Sequence, residues 1–484
     1  MSDFNIIPLL PELFLAFAAM GLLIVGVSGG SRVTPVIAWM SVVALAVTSL
    51  LVLGFTGDWS RITILNEMLV FDEFSAVLKL FVLVGSAAAI AMSVRFLAQE
   101  QILKFEYPIL ILFATIGMMV MLSSHNFLTL YMGLELQALS LYVLAAFQRN
   151  SLRSSEAGVK YFLLGALSSG MLLFGVGLIY GFTGSLDFTV VAQTLAASDM
   201  IAPGVVVGLA FILAGLAFKI SAVPFHMWTP DVYQGAPTSV TAFFAIVPKI
   251  AAMGLLIRVL FEPFAAAYES WMQILYALSL GSMVLGAFAG LVQKDIKRLL
   301  AYSSIGNMGY ILIGVIAGSP QAMSAVIIYM MIYLAMTIGV FAIVIGMRRN
   351  DRTVSGIDDL AGLSKNAPFS AYALAILMFS MSGIPPMAGF FGKLVIFESA
   401  VAQGFYILAI LGVITSVVAA YYYLKIIKTM FFDEVVDALD IGMPFVRRVI
   451  VVLVLVFVLG FGIKPTAFAD FAEYAATALF YSQG

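Results

Sequence analysis

The sequence predicts an all-α membrane protein. It has about fourteen transmembrane helices in a single polytopic domain, with two inverted five-helix repeats, spans four to eight and nine to thirteen, each containing a broken helix. Three observations carry this reading. The 484 residues are 63% hydrophobic and 10% charged, where a soluble domain carries about 25% charged residues. Apolar stretches of spanning length recur along the chain. Four lone charges, Glu135, Lys219, Lys249 and Lys393, sit inside those stretches, where each costs roughly 2.5–3.5 kcal/mol at a helix centre.

The apolar segments run approximately over 9–28, 33–55, 74–97, 106–122, 127–147, 157–181, 203–226, 237–260, 270–292, 299–317, 323–347, 368–398, 405–430 and 446–464. The opening stretch MSDFNIIPLLPELFLAF has no basic run before its apolar part and reads as a retained first span. Residues 1–100 hold the first three spans, 106–260 the first repeat, 270–430 the second, and 446–484 the last span and a tail. That tail, TAFADFAEYAATALFYS, is amphipathic and is expected along the membrane surface. Spans seven and twelve are interrupted by proline, Pro224 after Lys219 and Pro385–Pro386 before Lys393. The two lysines are thus five spans apart, each beside a break. A five-span unit repeated once must be inverted, because five is odd.

Lys and Arg set the orientation. With the N-terminus outside, the loops after odd-numbered spans hold Arg32, Arg95, Lys104, Arg149, Arg153, Lys294, Lys297, Arg298, Arg348, Arg349, Arg352, Lys365, Arg447 and Arg448. The opposite loops carry Asp58, Glu67, Asp187, Asp199, Glu262 and Glu269, with little basic beyond Arg61 and Lys464. The odd loops are therefore expected in the cytoplasm and both termini outside.

The absence of cysteine excludes disulfides, thiolate metal sites and iron–sulfur ligation, and two histidines leave little for haem or zinc. A net charge of -2 without a basic tail argues against nucleic acid. The chemistry rests on the buried charges. Glu135, in FLTLYMGLELQALSLYVL, and Lys219, in GLAFKISAVPFHMWTPDVYQGAP, stay ionised together more readily than apart. Moving one relative to the other would then change how tightly the lysine holds its proton. Lys249 follows Pro248, whose ring frees a carbonyl one turn earlier and opens room for water. Lys393 follows the Gly- and Pro-rich bend in SGIPPMAGFFGK. A row of lysines joined by waters relays protons through the middle of the membrane. Lys160, near the inner end of span six, either joins that row, by passing protons or polarising Lys219, or snorkels. His226 is either a relay or a satisfied core histidine, and Glu135 has a static ion pair as its plain alternative. Lys79 has no evident partner and is expected to snorkel. Arg258 is expected to pair or snorkel, His125 to lie in a loop, and Glu398 is open between surface and function. The 26 methionines read as lipid-facing or core filler.

The stretches MGLELQALSLYVLAAF, KYFLLGALSSGMLLFGVGLIYG, FKISAVPFHMWTPDVYQGAPTSVTAFFAIVPKIAA, DIKRLLAYSSIGNMGYILIG and MFSMSGIPPMAGFFGKLVIF resemble the antiporter-like membrane subunits of respiratory complex I, the proton-pumping NADH:quinone oxidoreductase. The resemblance covers essentially the whole chain and is strongest over 106–430. The sister branches L and M and the Mrp antiporter subunits usually place histidines on span eight. Here that stretch reads TSVTAFFAIVPKIAA, which is similar to the N branch. The resemblance implies a fourteen-span fold with discontinuous helices and proton translocation driven by electron transfer in other subunits. It implies Glu135 and Lys219 as the charge pair of one half-channel, Lys249 as the central lysine, Lys393 as the lysine of the second half-channel and Lys160 as a modulator. It further implies that NADH, FMN, iron–sulfur clusters and quinone are used elsewhere in the complex, with no cofactor in this subunit. The partners implied are the sister subunits M and L, the small membrane subunits J and K, and lipid, in a bacterial inner membrane with both termini periplasmic.

Two other classes remain open on the residues. One is a cation/proton antiporter subunit of the Mrp type or a stand-alone sodium/proton antiporter, disfavoured because no intramembrane carboxylate cluster offers sodium several oxygens. The other is a structural member of an assembly, whose charges hold subunits together.

Overall fold

A computed structural model describes residues 6–55, 61–198, 200–435, 437–440 and 442–480. Asp58 and Asp199, counted above among the outward charges, lie outside the described residues, as do residues 481–482 of the tail. Nineteen α-helices are described: α1 (Leu10–Gly29), α2 (Thr34–Phe55), α3 (Glu73–Gln99), α4 (Glu106–Ser123), α5 (Phe127–Ala145), α6 (Leu152–Thr183), α7 (Phe188–Ala196), α8 (Pro203–Ile220), α9 (Trp228–Gly235), α10 (Thr238–Phe261), α11 (Tyr268–Leu291), α12 (Ile296–Ala317), α13 (Pro320–Val344), α14 (Leu363–Asn366), α15 (Pro368–Ser382), α16 (Ala388–Ala402), α17 (Tyr406–Phe432), α18 (Phe445–Ile463) and α19 (Ala469–Phe480). Two short hairpins, β1 (Ile62–Ile64) with β2 (Leu69–Phe71) and β3 (Arg348–Arg349) with β4 (Arg352–Thr353), close loops.

Thirteen of the described helices are long and apolar enough to cross a membrane. The fourteenth segment expected, 368–398, is present as two shorter helices, α15 and α16, so the broken span is two half-helices. Span seven is likewise α8, a break over 221–227, and the short α9. Helix starts are fixed by side chains. Asp72 and Ser75 form a reciprocal capping box on α3, and Asn126, Asp187, Asp295 and Ser319 cap α5, α7, α12 and α13.

Helix α10 lies at the centre, with every residue from Thr238 to Phe261 buried. It packs against α3, α4, α8, α9, α12 and α13, and it continues through Pro248 without a break. Tail helix α19 is more than a surface strip. Its Ala472, Ala475, Ala476 and Leu479 are buried against α13 and α3, and the Tyr474 hydroxyl donates to Glu73 at 2.9 Å.

The half-helices of span twelve cross closely at Gly389. A Cβ there would stand 1.9 Å from the Ser380 carbonyl oxygen, and backbone cannot move aside cheaply. Gly389→Ala is therefore expected to cost about 1–3 kcal/mol or more, read as a lowered melting temperature of the assembled complex. An unchanged melting temperature would show that the two halves slide freely.

Candidate functional site

The two breaks share a local geometry. In the first, Ser221 is left-handed (φ 62) and the next amide, Ala222, donates back to the Ala217 carbonyl at 2.8 Å. In the second, Gly383 is left-handed (φ 85) and Ile384 donates back to Phe379 at 3.2 Å. This is the helix-ending pattern that satisfies orphan carbonyls. Glycine adopts the left-handed region freely; at the first break Ser221 is tied down, because its hydroxyl accepts from Thr229 of α9 at 2.7 Å.

The lysines serve these breaks differently. Lys219 is on the last turn of α8, just before its break. The Phe218 carbonyl there is taken by the Trp228 indole N–H at 3.0 Å, and Trp228 stacks on Tyr161 at 4.4 Å between ring centroids. The Lys219 ammonium is buried without a hydrogen-bond partner. It lies 5.9 Å from the Tyr142 ring centroid and 5.8 Å from that of Phe218. Lys393 instead comes from α16, beyond its break, and reaches back to the end of α15. Its ammonium donates to the carbonyls of Met381 (3.0 Å) and Ser382 (3.3 Å) and to the Ser416 hydroxyl (2.8 Å), at the negative end of the half-helix.

Lys249, buried on α10, donates to the Ser304 hydroxyl of α12 at 2.6 Å. Ser304 shares a hydrogen bond with Tyr333 of α13 at 2.7 Å, and Tyr333 donates to the Ala245 carbonyl at 3.1 Å, one turn before Lys249. Lys219 and Lys249 line one cavity of about 10 Å³ with Gln137, Tyr161, Trp228 and Pro248, the threshold of room for a single water. Among the described residues none of these three lysines has an ion-pair partner.

Between Lys249 and Lys393 the bundle carries a second polar group that sequence reasoning missed. Tyr329 donates to the Asn307 side-chain oxygen at 2.7 Å, the Asn307 amide donates to the Ser303 carbonyl at 2.9 Å, and the Ser303 hydroxyl meets Tyr423 at 2.5 Å. Tyr310, beneath the Lys393 ammonium at 5.2 Å, donates to Thr415 at 3.4 Å. The available sequence signal was YSSIGNMGY, five polar side chains on one turn-spaced stretch of an otherwise apolar span.

Other expected residues are placed as follows. Glu135 is partly exposed on α5. Among the described residues it forms no ion pair with Lys219, and one of its carboxylate oxygens is buried without a partner. The expected pair is therefore open in this structure. Lys160 does not face Lys219: its half-exposed ammonium is held by Glu156 (2.8 Å) and Asp231 (2.9 Å), and Asp231 also pairs with Arg298 (2.9 Å). These residues line a separate cavity of about 260 Å³. Asp231 shows the balance there: burial alone would raise its carboxyl, but the hydrogen bond and charge of Lys160, with Arg298, hold it below its ordinary value. His226 is partly buried in the break and is not on the wall of the Lys219–Lys249 cavity. Lys79 does not snorkel. It is buried and meets Glu12 of α1 at 2.5 Å, a partner 67 residues away that local reading cannot see. Lys297, counted with the cytoplasmic cations, is buried and donates to the Ala236 carbonyl at the end of α9 at 2.8 Å. Glu398 is exposed.

The start of α3 and the end of α10 hold an ion network. Arg258, fully buried, grips Asp72 through two bonds of 2.8 and 3.0 Å and Glu262 at 2.6 Å, and donates to the Leu122 carbonyl at 3.1 Å. His125, in the α4–α5 loop but buried, meets Glu262 at 2.8 Å, and Arg61 approaches Glu262 at 3.2 Å. Burial alone would raise Glu262; Arg258, His125 and Arg61 outweigh it and bring the carboxyl to about 2.

The chain matches the family model described as NADH:quinone oxidoreductase/Mrp antiporter, TM, over residues 124–419. It is 49% identical over 488 residues to NADH-quinone oxidoreductase subunit N of Paramagnetospirillum magneticum, covering 100% of both chains. It is 48% identical over 476 residues to the subunit N of Rhodospirillum rubrum, covering 98% of each. A chain of respiratory complex I from Thermus thermophilus, solved with bound aureothin, superposes with a TM-score of 0.82 at 31% identity, covering 95% of this chain and 98% of that one. A chain of the Mrp complex of a Dietzia species shares the fold, with a TM-score of 0.87 at 22% identity over 99% and 98% of the two chains. With such identity over its full length, the chain belongs to the subunit N family of NADH-quinone oxidoreductases, within the antiporter-like membrane proteins.

Proposed function

We propose that the chain translocates protons as a membrane subunit of an NADH:quinone oxidoreductase, with Lys219, Lys249 and Lys393 as the relay and Glu135 as the group that tunes it. Electron transfer from NADH to quinone takes place in other subunits. The observation that carries this reading is the pair Lys219 and Lys249: two buried ammonium groups that form no ion pair among the described residues, on the wall of one small cavity. The spans from α4 to α10 and from α11 to α17 form two inverted five-span units, each with its lysine beside a break. Protons pass from Lys219 to Lys249 by way of the cavity, then along the hydroxyl groups of α12, α13 and α17 to Lys393, with water completing the steps. Lys160 and His226 stand outside this path, Lys160 as part of the separate charged cavity.

Glu135 sits on an exposed apolar stripe of α5, with Met132, Leu139 and Val143. There it can respond to a neighbouring membrane subunit, such as the sister subunits M and L or the small subunits J and K, by closing or opening its distance to Lys219. The energy scale fits. Moving one charge across about 150 mV costs roughly 3.5 kcal/mol, equal to a change of about 2.5 units in proton affinity at about 1.36 kcal/mol per unit. The Lys and Arg bias supports a bacterial inner membrane with both termini periplasmic. The reading needs no cofactor within this chain.

The test is Lys219→Ala in the assembled complex, following NADH oxidation with a quinone acceptor together with proton uptake into sealed vesicles. Both rates are expected to fall roughly tenfold or more while the complex still assembles. Oxidation at the wild-type rate with an unchanged proton yield would make Lys219 structural and end the relay reading.

A further inference from the structure

The outer face carries a second constellation that the relay does not use. Glu67, His125 and Asp187 each offer one ligand atom, and these atoms lie within 4.8 Å of one another. They come from three segments brought side by side by backbone hydrogen bonds. His125 donates its amide to the Met68 carbonyl at 3.0 Å, and Phe188 donates to the His125 carbonyl at 3.1 Å. The β1–β2 hairpin, the α4–α5 corner and the α6–α7 loop thus run as neighbours, with Glu67, His125 and Asp187 in line across them.

The ring of His125 is already oriented for ligation. Its Nδ1 faces the Glu262 carboxylate at 2.8 Å, and an ionised carboxylate only accepts. Nδ1 therefore carries a proton, and in the neutral ring Nε2 presents its lone pair, to which the Thr189 hydroxyl donates at 2.9 Å. A carboxylate behind the far nitrogen is the arrangement that fixes metal-binding histidines. Charge points the same way. Arg61 and Arg258 both pair with Glu262; Arg61 also approaches His125 Nδ1 at 3.5 Å, a longer contact than the 2.8 Å to Glu262, and it does so on the edge of the ring away from Nε2. Among the described residues, neither Glu67 nor Asp187 has a cationic partner. Asp187 uses one carboxylate oxygen, Oδ1, to cap α7, and among the described residues the other makes no hydrogen bond. Two uncompensated carboxylates thus stand beside an imidazole lone pair, and His125 and Asp187 are held by a fixed backbone. A cavity of about 300 Å³, lined by Arg61, His125, Thr189 and Glu262, adjoins the histidine.

We propose that Glu67, His125 and Asp187 form a divalent transition-metal site on the outer face, with Zn²⁺ the best match. One nitrogen and two carboxylate oxygens at about 2.0–2.2 Å suit zinc and leave a fourth position for water. The exposed Glu67 side chain closes onto the ion, and the Thr189 hydroxyl gives up its bond to Nε2. The bound ion clamps three outer loops together beside the Arg258 network. This site is independent of the proton-relay reading.

The test is equilibrium dialysis of the intact detergent-solubilised complex against radioactive Zn²⁺, comparing wild type with Glu67→Gln and with His125→Gln. Both variants are expected to lose one bound zinc per complex at concentrations that fill the wild-type site, corresponding to an affinity loss of tenfold or more. Glu67 is exposed and takes no part in packing, so Glu67→Gln reports on the metal even if His125→Gln disturbs the ion network. Zinc stoichiometry and affinity unchanged in Glu67→Gln would overturn the proposal.

Discussion

Replacing Arg258 by alanine is expected to strip most of the subunit from the membrane, at a cost of about 3–5 kcal/mol. The guanidinium is wholly buried and holds two carboxylates and a carbonyl. Its removal leaves Asp72 and Glu262 as buried anions with their main counter-charge gone. Asp72 also caps α3, so the loss reaches the start of that helix. The readouts are the amount of subunit in washed membranes and the melting temperature of the isolated complex. Wild-type values for both would mean the network contributes nothing. Combining the change with Asp72→Asn and Glu262→Gln should recover part of the loss, because the stranded charges go with it.

The same substitution should reverse the sign of the acid response. In the wild type, burial alone would raise Asp72, but the charge and hydrogen bonds of Arg258 outweigh it, and the carboxyl sits below its ordinary value. A folded value below the unfolded one, about 3.9, stabilises fully above that pH and is lost as pH falls through the lower folded value. Asp72 should therefore contribute nothing to any change in melting between pH 7 and about 5, and a loss below about 4. Without Arg258, burial dominates and the folded value lies above the unfolded one. Stability then grows as pH falls from 7 toward 4. Melting curves across that range separate the two cases, and parallel acid profiles would refute the assignment.

Lys249→Met is expected to slow coupled turnover roughly 100-fold in a complex that still assembles. Methionine keeps the length and bulk of the side chain, and Ser304 retains Tyr333 as a partner. What disappears is the titratable group that the proposed relay places between Lys219 and Lys393. Lys249→Arg sharpens the test, because arginine keeps the charge but does not release its proton. Equal failure of both variants, in proton uptake and in NADH oxidation, assigns Lys249 to proton transfer. Full activity with arginine would show that a fixed charge is sufficient and that no proton stops at this position.

The spans were legible because apolar length is a local signal, and both breaks were marked by proline. The lysines stood out because each is a charge in an apolar run. What stayed hidden depends on contacts far apart in sequence. Glu12 finds Lys79 across 67 positions, Asp231 takes Lys160 across 71, and the Arg258 network joins residues 186 apart. Ser304, Tyr333 and Asn307 were overlooked for another reason: a hydroxyl or amide in an apolar helix reads as filler until its neighbour is known. The openness of Glu135 toward Lys219 was equally unreadable, since no local pattern records the distance between two helices.

In the proposed relay, protons move between the lysines by way of the hydroxyl groups of Ser304, Tyr333, Tyr329, Ser303 and Tyr423, with water bridging the gaps between them. A hydroxyl gives and receives with equal ease, so a path built from hydroxyls has no inherent forward or reverse sense. A proton passed along such hydroxyls and waters would leave their O–H bonds pointing the opposite way, and these must swing back before the next can follow. Such a conductor is reversible by construction. Rectification must then come from its ends, from when Lys219 is loaded and when Lys393 is emptied, and a proton gradient imposed from outside should be able to drive the same path backwards.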